Sequence, residues 1–112
     1  TEMDALKPLE SLPRPPKELS PRARRYWRRV GRELIRRKIL TEADLLALRL
    51  FCETAAQCEE VRELLAQATD PGEQSVLRQA LWDCERDLLR WAYKFVPISE
   101  ARQLLATGGI AG

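Results

Sequence analysis

Apolar positions along the chain recur at steps of three and four in three successive stretches, the spacing of helices with one buried stripe. No stretch shows the alternation of a strand, and no internal repeat appears. In the first stretch, residues 21–38, Ala23, Tyr26, Trp27, Val30 and Leu34 fall on one face. Ser20 followed by Pro21 is a start signal, an N-cap hydroxyl ahead of a first-position proline whose missing N–H costs nothing there. Lys38 suits the negative end of the helix macrodipole. Gly31 in the middle costs about 1 kcal/mol relative to alanine and marks a close approach by a neighbouring backbone.

The second stretch, residues 42–68, opens on Thr41 with Asp44 three residues on, a capping box, and Leu40 is placed to staple against Leu45. Its first half, LLALRLFCETAA, is apolar nearly all round. A helix of that kind needs neighbours on every side, and one other helix cannot supply them. Contacts from further copies of the chain are therefore expected, with Leu46, Leu50 and Phe51 in the contact surface. Asp70, Pro71 and Glu73 then start a third helix over residues 71–96. Leu77, Leu81, Cys84, Leu88, Trp91 and Phe95 form a seam alternating steps of four and three, suited to an antiparallel partner. A second stripe of Trp82, Leu89 and Val96 lies on an adjacent face and is assigned to the oligomer interface; coverage of these surfaces by the first helix is the alternative.

Pro97 ends the third helix, and Ser99 can cap a short last one over residues 99–106 before a flexible tail, residues 107–112. Ahead of the first helix, residues 1–19 carry Pro8, Pro13, Pro15 and Pro16, which predicts an extended, mobile arm. The expected architecture is all-α: a flexible arm, then one helical domain over residues 20–106 built from a basic N-terminal helix, a long antiparallel hairpin and a short C-terminal helix, oligomerising.

Charge changes this picture. The net charge of +2 over 112 residues hides a basic head on an acidic body: residues 14–38 hold eleven bases and two acids, so the remainder sums to −7. Nine of the bases, Arg22, Arg24, Arg25, Arg28, Arg29, Arg32, Arg36, Arg37 and Lys38, lie on the first helix with Glu33 as its one acid. Arg22, Arg25, Arg29, Arg32 and Arg36 step by three or four into a row. Like charges at that spacing cost roughly 0.2–0.5 kcal/mol per pair. Simple solvation of the arginines is one reading. The other is a polyanion, because guanidinium forks match phosphate oxygens and each neutralised phosphate releases counterions. Double-stranded DNA is the expected partner, and Arg14 and Lys17 either extend the same contact or only keep the arm soluble. The aromatic stripe of the basic helix reads as core-facing, against a membrane surface.

Candidate chemistry is sparse. The chain has no histidine, and its three cysteines, Cys52, Cys58 and Cys84, sit inside helical patterns without a CxxC pair, so neither a disulfide framework nor a zinc site is expected. No phosphate-binding glycine loop precedes a helix. The acids Asp83, Glu85 and Asp87 stand beside Arg86 and Arg90 at ion-pair spacing and read as solvated surface. No cofactor and no enzyme activity are expected. Without an apolar run of membrane-spanning length or a signal pattern, the expected location is cytoplasmic, that of the host cell if the protein is viral.

The order PPKELS, Ala23 to Trp27 as A-x-x-x-W, LTEADLLAL from Leu40, a long hairpin, then FVPISEARQLL resembles the phage terminase small subunits over residues 15–105. The resemblance implies a non-catalytic subunit of a viral genome-packaging motor. Such a subunit forms a ring, selects viral DNA and recruits and regulates the large ATPase and nuclease subunit. The basic helix would be the DNA-contacting part. Glu42 and Asp44 at the start of the second helix would repel phosphate in an ordinary helix-turn-helix docking. Leu104, Leu105 and Ile110 are the candidates for contact with a large subunit. A small dimeric DNA-binding regulator and a helical adaptor for an acidic protein fit the same charge pattern.

Overall fold

The structure, a computed structural model, describes residues 6–92. The expected helix over residues 99–106, the tail, and Val96 of the expected interface lie outside the described residues. Helix α1 spans Pro21–Arg36, a single 3₁₀ turn spans Glu42–Asp44, and helices α2 and α3 span Leu45–Gln67 and Pro71–Ala92. The described residues contain helices and no strand; Pro8 and Thr41 form one isolated antiparallel bridge.

Helix α1 begins where the chain demands it: the Ser20 hydroxyl oxygen accepts from the Ala23 N–H at 3.1 Å, with Pro21 in the first turn. It ends two residues before Lys38, in a reversal of the Schellman type. The Ile39 N–H reaches back to the Leu34 carbonyl at 3.1 Å and the Lys38 N–H to the Ile35 carbonyl at 3.0 Å. Lys38 stands at the left-handed position, φ 59°, which favours glycine. The basic side chain expected to complement the helix end therefore belongs to the residue that turns the chain away from it.

The Asp44 carboxylate accepts from the Thr41 N–H at 3.1 Å and from the Thr41 hydroxyl at 2.8 Å, which fixes the turn into α2. The second helix accordingly starts as a 3₁₀ turn and becomes α-helical at Leu45. Three residues join α2 to α3. Asp70 Oδ2 accepts the Glu73 N–H at 2.9 Å, and the Gln74 side-chain amide donates to the Ala68 carbonyl at 2.8 Å. Helices α2 and α3 fold back on one another, with Arg62 and Glu85 paired across them at 3.2 Å.

The core gathers where α1 meets the first half of α2 and the last turns of α3. Trp27, Leu34, Leu40, Leu48, Phe51, Cys52, Cys58, Leu88 and Ala92 are all buried there. Ala47, Leu48, Phe51, Cys52, Ala55 and Ala56 of the apolar first half of α2 are thus covered within one copy, their neighbours being α1 and α3 together, while Leu46 stays exposed. The buried face of α2 therefore does not need other subunits to cover it. Phe51, 2% exposed, is a core residue and leaves the expected interface set, and Leu89 is partly buried against the same core.

The proline-rich arm is also part of the fold. Its prolines keep it extended, but residues 8–19 are anchored to the helices. The Leu9 N–H donates to the Leu40 carbonyl at 2.8 Å, Trp27 Nε1 donates to the Pro13 carbonyl at 2.9 Å, and Leu19 is buried. Gly31 is where the close approach occurs, and the neighbour is a side chain: a Cβ on Gly31 would lie 2.5 Å from Leu12 Cδ1.

Candidate nucleic-acid interface

Helix α1 turns Ala23, Tyr26, Trp27, Gly31 and Leu34 inward, and its remaining circumference is mostly arginine. The structure divides the nine expected DNA-binding residues by environment. Arg25, Arg28, Arg29, Arg32, Arg36, Arg37 and Lys38 are exposed, whereas Arg22 and Arg24 are half-buried on the two flanks.

On one flank Arg22 Nη2 meets Glu63 Oε2 of α2 at 3.1 Å, and Arg22 Nη1 lies 4.0 Å from Glu59. These carboxylates hold the guanidinium more firmly charged than usual, Glu63 above all through its hydrogen bond. The first turn of α1 has no acid of its own. Glu59 and Glu63 thus bring from α2 the negative charge that the positive end of α1 lacks. Glu59 also accepts from the Tyr26 hydroxyl at 3.0 Å, and burial, followed by this bond, pushes the Tyr26 phenol up to about 12.

On the other flank Arg24 Nη2 donates to the Lys17 carbonyl at 2.8 Å, and Arg24 Nε is buried without a partner among the described residues. At the far end Glu33 binds both Arg36 and Arg37, the latter at 2.9 Å. Hydrogen bonds from Arg36 and then Arg37 hold the Glu33 carboxyl down at about 2. A depressed acid of this kind keeps its bridges at every pH above its unfolded value and loses them only as pH falls toward 2.

Arg22, Arg24, Arg36 and Arg37 therefore have intramolecular work, and Arg29 is not free either. Arg25, Arg28, Arg32 and Lys38 are exposed and form no ion pair among the described residues. The three arginines lie on the face of α1 that points away from the core. Their spacing was legible in sequence; the ties that withdraw Arg22 and Arg24 were not, because the carboxylates that hold Arg22 lie about forty residues on and Arg24 bonds a backbone carbonyl of the arm, which no side-chain pattern announces.

Of the remaining expected interface residues, Leu46 and Trp82 are each 66% exposed and Leu50 is half-buried. Leu64 and Val76, at the hairpin tip, are exposed as well and were not singled out from the sequence. Cys52 and Cys58 are buried, and burial pushes both thiols up to about 12, so neither is a ready nucleophile. Among the described residues no group of three or more cysteines and acids could hold a metal, and no helix is long and apolar enough to cross a membrane.

Comparison with known proteins decides the family. The model of the phage terminase small subunit matches residues 23–81, just over half of the chain, from the first turn of α1 into the middle of α3. The chain belongs to the phage terminase small-subunit family. No curated protein and no solved structure matches. Within this terminase small subunit the matched residues hold all of α1 beyond Arg22, all of α2 and the tip of the hairpin. The arm, with Arg14 and Lys17, lies before them.

Proposed function

We propose that this terminase small subunit binds double-stranded DNA through the outward face of α1 and serves viral genome packaging without catalysing a reaction. The observation that carries the reading is the set Arg25, Arg28 and Arg32, three exposed guanidinium groups without ion pairs among the described residues, on the side of the helix opposite Trp27. Arg29 is exposed between them. A straight helix whose anchor is aromatic and whose free side is arginine can lay several forks along a row of phosphates. Contacts of that kind position the protein and do not read bases.

Membership of the family supports a large subunit as a partner, and we propose both that subunit and further copies of this chain. Leu46, Leu50 and Trp82 are the interface residues that support self-association, since large apolar side chains left open on a monomer favour burial. Glu42 is exposed and Asp44 half-buried at the start of α2, so their charge opposes entry of that helix end into a DNA groove and leaves the contact to α1.

The test is titration of a labelled duplex at several salt concentrations. Expected is a linear fall of log K with log salt, with a slope reduced by roughly 0.9 for each of Arg25, Arg28 and Arg32 changed to Gln. Absence of binding at low salt would overturn the DNA reading and favour an adaptor for an acidic protein. A native mass spectrum of the protein alone separates a ring from the dimer of a small regulator.

A further inference from the structure

We propose that the DNA-binding surface has a second rail: the arm, seated along α1, presents Arg14 and Lys17 to phosphate at fixed positions beside the helix. This inference rests on the DNA reading above and adds residues outside the helix to it.

Three contacts define the seat, and they are in register. Leu12 fills the notch at Gly31, the Pro13 carbonyl accepts from Trp27, and the Lys17 carbonyl accepts from Arg24. Positions 24, 27 and 31 lie on one ridge of α1, and positions 17, 13 and 12 meet them in reverse order. The arm therefore runs antiparallel to the helix along that ridge. At its far end the Leu9 bond to Leu40 ties it to the turn after α1. Arg14 and Lys17 are exposed on this strap, next to residues whose carbonyls are already held by α1.

The seat changes what their charge can do. A cation on a loose tail loses backbone and side-chain freedom when it meets a phosphate, and that lost entropy opposes binding. Folding has already ordered the backbone at Arg14 and Lys17, so they act as part of a preformed surface. The ridge they flank leads directly to Arg28, one of the exposed arginines of the outward face. Glu18, the acid of the arm next to Lys17, is exposed two residues before the Ser20 cap.

The experiment uses the full chain and a labelled 20-base-pair duplex, with log K measured against log salt. Variants are Arg14→Gln with Lys17→Gln, which removes the charges, and Gly31→Leu, which fills the notch and keeps them. The double charge variant is expected to lower the slope by about 1.8 and, for equal affinity at 1 M salt, to weaken binding roughly 60-fold at 0.1 M. Gly31→Leu is expected to lose a measurable part of the same slope although no charge has changed. Leu12→Ala, which removes the knob from the notch, serves the same purpose if Gly31→Leu melts early by circular dichroism. Wild-type binding with an unchanged slope in the charge variant would overturn the rail and leave the α1 reading standing. A full slope in the notch variants, with loss in the charge variant, would overturn the fixed seat. Failure of the wild type to bind would overturn the reading beneath both.

Discussion

At one end of the molecule α2 is enclosed by α1, the arm and the last turns of α3; at the other, residues 64–80 leave α2 and α3 with only each other. The enclosed end holds every buried side chain of the described core, whereas none of residues 64–80 is buried. Helix α3 shows the contrast within itself, since of its 22 residues only Leu88 and Ala92, both near its end, are buried. The difference teaches where stability and where association reside. Aromatic and aliphatic groups packed on three sides secure the fold, and the open tip, with Leu64 and Val76 exposed, is apolar surface that folding of one copy does not use.

That contrast can be broken most sharply at Trp27, which is 2% exposed and also bonded to the arm. Trp27→Ala removes the largest side chain of the enclosed end and leaves a cavity, an expected loss of about 3–5 kcal/mol of unfolding free energy in urea. A loss under about 1 kcal/mol would mean that the enclosed end does not hold the fold together. A smaller effect of opposite sign is expected at the reversal after α1. Lys38→Gly relieves the left-handed backbone at φ 59° and should raise stability by about 1 kcal/mol, read as a higher urea midpoint at unchanged m. The same variant removes an exposed cation and should weaken DNA binding slightly, which separates helix-end stability from surface charge. At the tip, Leu64→Gln with Val76→Gln should change the stability of the monomer by no more than about 0.5 kcal/mol. A large loss there, appearing only at protein concentrations where copies associate, would show that the tip is an interface in solution.

Much of this fold was legible because helix ends are written locally. Ser20 with Ala23, Thr41 with Asp44 and Asp70 with Glu73 each place donor and acceptor three residues apart, and each forms the hydrogen bond its spacing implies. The inward stripe of α1 was legible too, since Tyr26, Trp27 and Leu34 are buried as their steps require. What composition could not convey was distance along the chain. Pro13 and Pro16 imply an extended backbone but not the surface it lies on, and the signal for that surface sat elsewhere, in a glycine on the buried side of a helix. Phe51 was misplaced for a related reason: an apolar helix implies neighbours on every side without saying that α1 and α3 of the same copy supply them. Lys38 carries no trace of its left-handed backbone, because nothing but glycine or asparagine at that position would have announced it.

The notch at Gly31 links two positions that are remote in sequence but share one small volume. A methyl group at 31 would stand where Leu12 now sits, so room gained on either side must be surrendered by the other. In relatives that keep this strap, bulk at the two sites should trade off, a heavier residue on the helix accompanying a lighter one on the strap. Such paired drift would be a historical record of the same contact, readable without a single coordinate.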